Sequence, residues 1–135
     1  SGIPVTVMVA PIIPGLTDHE LESILEAARN AGARDAGYVL LRLPLEIKDL
    51  FREWLDQEFP DRARRVINLL RSMHGGQDYN AAFGQRQRGS GPYADQIALR
   101  FKLARNRLNL DIERLQLRTD LFKRPIVRGQ QFPLF

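Results

Sequence analysis

Two short apolar runs set the limits on what this chain can fold into. Val5-Thr6-Val7-Met8-Val9-Ala10 and Tyr38-Val39-Leu40-Leu41-Arg42-Leu43 are nearly unbroken in apolar character, the pattern of strands buried on both faces. Pro11, Pro14 and Gly15 close the first run and Pro44 closes the second, because proline cannot donate to a strand ladder. Between them Leu21, Ile24, Leu25 and Ala28 recur at i, i+3, i+4 and i+7, one apolar face of a helix. Thr17 followed by Glu20 has capping-box spacing, and Gly32 suits the position after a helix end. The spacing predicts strands over about 4–11 and 37–43 with a helix over about 18–31. Strands joined in this way run parallel, with a right-handed crossover.

A second amphipathic helix follows, with Ile47, Leu50, Phe51, Trp54 and Leu55 on one face. Residues 1–58 therefore read as a β-α-β-α unit. Two parallel strands bury too little to form a sheet alone, so the chain is expected to be the end of something larger. Residues 59–135 read as a helical extension. Ala63, Val66, Ile67, Leu70 and Met73 form one apolar stripe, and Ile97, Phe101, Ala104 and Leu108 form another. A glycine-rich stretch over 74–92 lies between them, and an apolar tail, expected to dock, ends at Phe135. The expected fold class is α/β: a truncated partial (β/α) barrel of two parallel strands and flanking helices, then a helical C-terminal extension.

The composition excludes several chemistries. The 135 residues contain no cysteine, so no disulfide, thiolate nucleophile or cysteine-ligated metal belongs to this chain. Two histidines are too few for a His-rich metal site, and no metal ligands are predicted. The longest apolar run is far short of a membrane span, and no signal peptide is visible, so a cytoplasmic protein with no membrane partner is expected.

Charge divides unevenly along the chain. Residues 1–60 hold five Lys/Arg against ten Asp/Glu, whereas 61–135 hold fifteen against six. Solvated arginines on helix faces account for such a bias as readily as an anion-binding surface does. Arg86 and Arg88, set among glycines with Tyr79 and Tyr93 nearby, are the candidate contacts for nucleic acid or another anionic substrate. Arginine forks read phosphate oxygens and aromatic rings stack on bases.

The segment Pro4-Val5-Thr6-Val7-Met8-Val9-Ala10-Pro11-Ile12-Ile13-Pro14-Gly15-Leu16-Thr17-Asp18 resembles a late barrel strand of radical S-adenosylmethionine enzymes. The Tyr38 to Pro44 strand fits the next repeat. Gly84-Gln85-Arg86-Gln87-Arg88-Gly89-Ser90-Gly91-Pro92-Tyr93 and the Gly129 to Phe135 ending are similar to the spore-photoproduct-lyase-like, "DNA repair photolyase" branch. The resemblance implies a longer parent that uses S-adenosylmethionine and a [4Fe–4S] cluster. In that parent Pro11, Ile12, Ile13, Arg42 and Leu43 border the cofactor nucleoside, as residues at the C-terminal ends of barrel strands do. The cluster's CxxxCxxC motif is absent, so this chain is expected to hold no cofactor, contribute no catalytic residue and be inactive alone. Its expected partners are the missing N-terminal part of the parent, DNA or another anionic substrate, and a second copy through the exposed sheet. The alternative is a nucleic-acid-binding module without catalytic activity.

Overall fold

The computed structural model describes residues 3–77, 87–111 and 119–123. Its elements, in chain order, are β1 (Thr6–Ile12), α1 (Leu21–Asn30), β2 (Asp35–Leu40), α2 (Ile47–Glu58), α3 (Pro60–Met73) and α4 (Pro92–Arg107). A single 3₁₀ turn, Asp18–Glu20, leads into α1. The chain is thus mixed α/β, with a two-stranded parallel sheet and four α-helices among the described residues.

β1 and β2 pair in parallel, with Val7 opposite Ala36 and Val9 opposite Tyr38. The register shifts between Val9 and Ile12. Pairing then continues past the end of β2, where Leu41 N donates to Ile12 O at 2.9 Å. The strand expected to end at residue 43 therefore stops at Leu40, and 41–44 run on without regular structure.

Only one face of this sheet is covered. Val9, Ile12, Ala36, Tyr38 and Leu40 are buried, whereas Met8 is 57% exposed and Val5 is 55% exposed. The expectation of two buried faces thus fails for β1. No further strand flanks β1 in the described sheet.

Helix periodicity places the core. Leu21 and Leu25 of α1, Leu55 of α2, Ala63, Val66, Leu70 and Met73 of α3, and Ala94, Ile97, Phe101 and Ala104 of α4 are buried. They join the strand residues in one cluster that draws on both 1–58 and 59–135. α2 departs from its pattern: Leu55 is sealed, but Leu50 is 65% exposed and Ile47 half exposed. Its Trp54 ring packs on Phe51 at 5.6 Å and edge-on to Phe59 at 5.3 Å.

The capping box is not formed. The Thr17 hydroxyl accepts from Ile13 N at 3.0 Å, stapling the turn that leaves β1. It therefore does not cap the helix that follows, and the 3₁₀ turn carries the chain into α1 instead.

Candidate functional site

The C-terminal ends of β1 and β2 lie together, joined by the Leu41–Ile12 bond, and the expected cofactor-facing residues fall there. Pro11 and Arg42 are exposed, Ile13 is half-buried, and Ile12 and Leu43 are buried within this chain's own core.

The loop between β1 and α1 is fixed by its own backbone and by one acid. Ile13 O accepts from Leu16 N and Thr17 N, at 3.1 and 2.9 Å. Gly15 sits at φ +74°, which favours glycine, and a Cβ there would lie 3.0 Å from the end of the Leu69 side chain, which would have to shift. Gly15 N donates to Asp18 Oδ1 at 2.9 Å.

Asp18 is only 8% exposed, and burial of a carboxylate demands partners. Tyr93 of α4 donates its hydroxyl to Asp18 Oδ2 at 2.6 Å. Arg100, two helical turns on, donates from Nη2 to the Asp18 carbonyl at 2.9 Å. The same guanidinium grips Glu22 in a bidentate pair, Nε to Oε1 at 2.8 Å and Nη2 to Oε2 at 2.6 Å. Burial, followed by the bond to Asp18, pushes the Tyr93 phenol above the ordinary tyrosine range. The Arg100 hydrogen bond holds the Glu22 carboxyl below the ordinary carboxylate range. This clamp joins residues 75 to 82 positions apart in sequence, and the sequence pattern shows only that each is polar.

His74, just past α3, is 2% exposed, with Nε2 at 3.4 Å from Leu41 O. Its Nδ1 has no hydrogen-bond partner among the described residues.

The remaining expected contacts are separated. Tyr79 and Arg86 lie outside the described residues. Tyr93 commits its hydroxyl to Asp18, with its ring half-buried. Arg88 lies over the Tyr38 ring, its guanidinium carbon 4.3 Å from the centroid, a cation–π contact. Its segment is threaded tightly past β2: Gln87 O accepts from Leu40 N at 2.9 Å, and Ser90 N donates to Met73 O at 2.9 Å. Gly89, at φ +66°, passes where a Cβ would stand 3.2 Å from Leu40 and Met73 atoms.

Arg62, Arg64 and Arg65 are exposed on α3. Arg64 lines a cleft with Arg52 and Arg71, while Arg88 lines a different groove with Lys102 and Arg105. Among the described residues no group of three or more His, Asp or Glu side chains is placed to hold a metal ion. No helix among them is long and apolar enough to cross a membrane.

No protein-family model, curated protein or solved structure matches the chain.

Proposed function

We propose that the chain is the terminal β-α-β-α part of a partial (β/α) barrel with its helical extension, belonging to a radical S-adenosylmethionine enzyme of the spore-photoproduct-lyase-like branch. The observation that carries this reading is the parallel β1–β2 pair, whose C-terminal ends meet beside a loop fixed by Gly15 and Asp18. In barrels of this kind chemistry is done at that end. The exposed apolar residues Ile3 and Val5, just ahead of β1, support the reading as well, since an upstream part of a barrel would cover them.

The cluster does not fit this chain. With no cysteine among 135 residues, it supplies none of the thiolates that a [4Fe–4S] centre requires, and no chemical step is assigned to it. Toward the cofactor nucleoside the chain offers Pro11 and Arg42 as exposed side chains, with the Ile13 turn behind them.

The test is to read and express the gene upstream of Ile3. A CxxxCxxC motif should precede this segment. The longer protein, reconstituted anaerobically, should show iron–sulfur absorbance and release 5′-deoxyadenosine on reduction, while the present chain shows neither. An upstream region without the motif, or a cluster spectrum from this chain alone, overturns the reading.

The second reading, a nucleic-acid-binding module, is favoured by the arginines of α3. Arg62, Arg64 and Arg65 are exposed against the single acid Asp61 on that helix. Oligonucleotide affinity that falls steeply with salt, and with Arg64→Ala, would support it.

A further inference from the structure

We propose that the groove between β2 and α4 is a binding site for a phosphate monoester, with Arg88, Lys102 and Arg105 as its cationic contacts. The groove has a volume of about 410 Å³ and brings these three side chains together from two separate segments. That is within the size range of pockets that take nucleotide-sized ligands.

Two of the three cations are held in place before any ligand arrives. Arg105 donates from Nη2 to Asp35 Oδ1 at 2.7 Å and from Nε to Leu110 O at 3.0 Å. Its Nη1 has no protein acceptor among the described residues and is available to an anion. Arg88 rests over the Tyr38 ring, which packs in turn on Phe101 at 4.7 Å. A cation–π contact uses no N–H donor, and the guanidinium donors are what bind phosphate oxygens in pairs. Fixed forks lose little conformational freedom on binding, which favours affinity.

Charge selects the ligand. Lys102 and Arg88 have no ion pair among the described residues, and Asp35, the one acid among the described residues that line the groove, is engaged by Arg105 and by Ala36 N. Among the described residues three cations against one carboxylate leave a surplus of two, which suits a monoester dianion better than the single charge of a diester. The Thr6 hydroxyl and Asn106 amide also line the groove and can complete hydrogen bonds to the ester. Met8, 57% exposed on its wall, offers apolar surface to the ligand's organic part.

Titration calorimetry on the 135-residue chain tests this with inorganic phosphate, ribose 5-phosphate, adenosine 5′-monophosphate, adenosine and a ten-nucleotide oligothymidylate. Binding of the phosphorylated probes but not of adenosine is expected. Comparing inorganic phosphate with the two esters separates recognition of the phosphate from recognition of the body attached to it. Lys102→Ala and Arg88→Ala should each weaken binding about tenfold, the loss of one charge-assisted contact. Arg88→Lys, which keeps the charge but not the fork, should fall between. Arg64→Ala, outside the groove, should bind inorganic phosphate and the two monoesters as the unaltered chain does. Absence of binding up to about 10 mM of any phosphorylated probe, or equal affinity in the Lys102→Ala, Arg88→Ala and Arg64→Ala chains, overturns the proposal. So does oligothymidylate binding that Arg64→Ala abolishes and Lys102→Ala leaves intact, which would place the anion site on α3.

Discussion

Removing one oxygen atom at Tyr93 probes the clamp that holds the strand-end loop to α4. Tyr93→Phe keeps the half-buried ring and deletes only the hydroxyl that donates to Asp18 Oδ2 at 2.6 Å. The oxygen left behind belongs to a carboxylate only 8% exposed, and its nearest remaining cation, Arg100 Nη1, is 3.9 Å away. Water cannot readily replace the lost donor, so the cost is that of a hydrogen bond to a charged group, about 1.5–3 kcal/mol. For a domain of this size that lowers the melting temperature by roughly 5–10 °C. Urea unfolding at neutral pH measures it, in a cycle with Asp18→Asn that should return a coupling of about 1 kcal/mol or more. The pH dependence carries a sign as well. Because burial and Asp18 raise the Tyr93 pKa in the folded chain, this contribution is complete below the ordinary tyrosine value near about 10. It is lost as pH rises through the higher folded value, so the advantage over Tyr93→Phe should narrow only in strong alkali. A Tyr93→Phe chain within about 0.3 kcal/mol of the unaltered one, or strict additivity with Asp18→Asn, would refute the reasoning.

Gly15→Ala should cost about 1–3 kcal/mol, because it forces a side chain into a left-handed conformation and against Leu69. Gly75→Ala, at φ +69° with nothing within 4 Å of the new Cβ, should lose less; equal losses in urea unfolding would remove the packing part of the argument. Glu22 has its pKa lowered by the Arg100 hydrogen bond, so its contribution is present above the ordinary carboxylate pKa and lost as pH falls through the folded value. The pair is partly solvated, with side chains 30% and 36% exposed, so Glu22→Gln should cost about 1 kcal/mol or less at neutral pH. The loss should vanish in acid, and a constant difference across an acid titration would contradict it.

The sequence showed the local elements well and their meetings hardly at all. Hydrophobic period marks the buried residues of α3 and α4 because a helix face must point to the core, and the parallel pair follows from a strand, a helix and a strand of the right lengths. Burial depends on what covers an element, which period cannot report. Val5 and Met8 read as core residues, and so did Ile47 and Leu50, yet all four are half exposed or more. Thr17 illustrates competition between local motifs. Its hydroxyl had a capping position in reach, but the turn after β1 presents Ile13 N to it first. Tyr93 and Arg88 stood out as aromatic and basic residues near glycines. Asp18 and Tyr38, the groups they meet, are 75 and 50 positions away in sequence, and no spacing rule reaches that far.

α4 accounts for how the two candidate sites can share so small a framework. Tyr93, in its first turn, is tied to Asp18 beyond the end of β1, and Arg105, in its last, is tied to Asp35 at the start of β2. Twelve residues of helix span about 18 Å, close to the roughly 20 Å covered by six residues of strand. The helix therefore runs antiparallel to the sheet and is clamped to it by an acid at each end, with Ala94, Ile97, Phe101 and Ala104 buried between the clamps. The strand-end loop is held by the first clamp. The groove of Arg88, Lys102 and Arg105 extends from the second, along the start and middle of β2. A phosphate in that groove contacts the side of the sheet on which Arg105 is anchored, a helix length from the Asp18 clamp. On the proposed reading it would bind without displacing a nucleoside placed at Pro11 and Arg42, and β1, β2 and α4 all run between the two places.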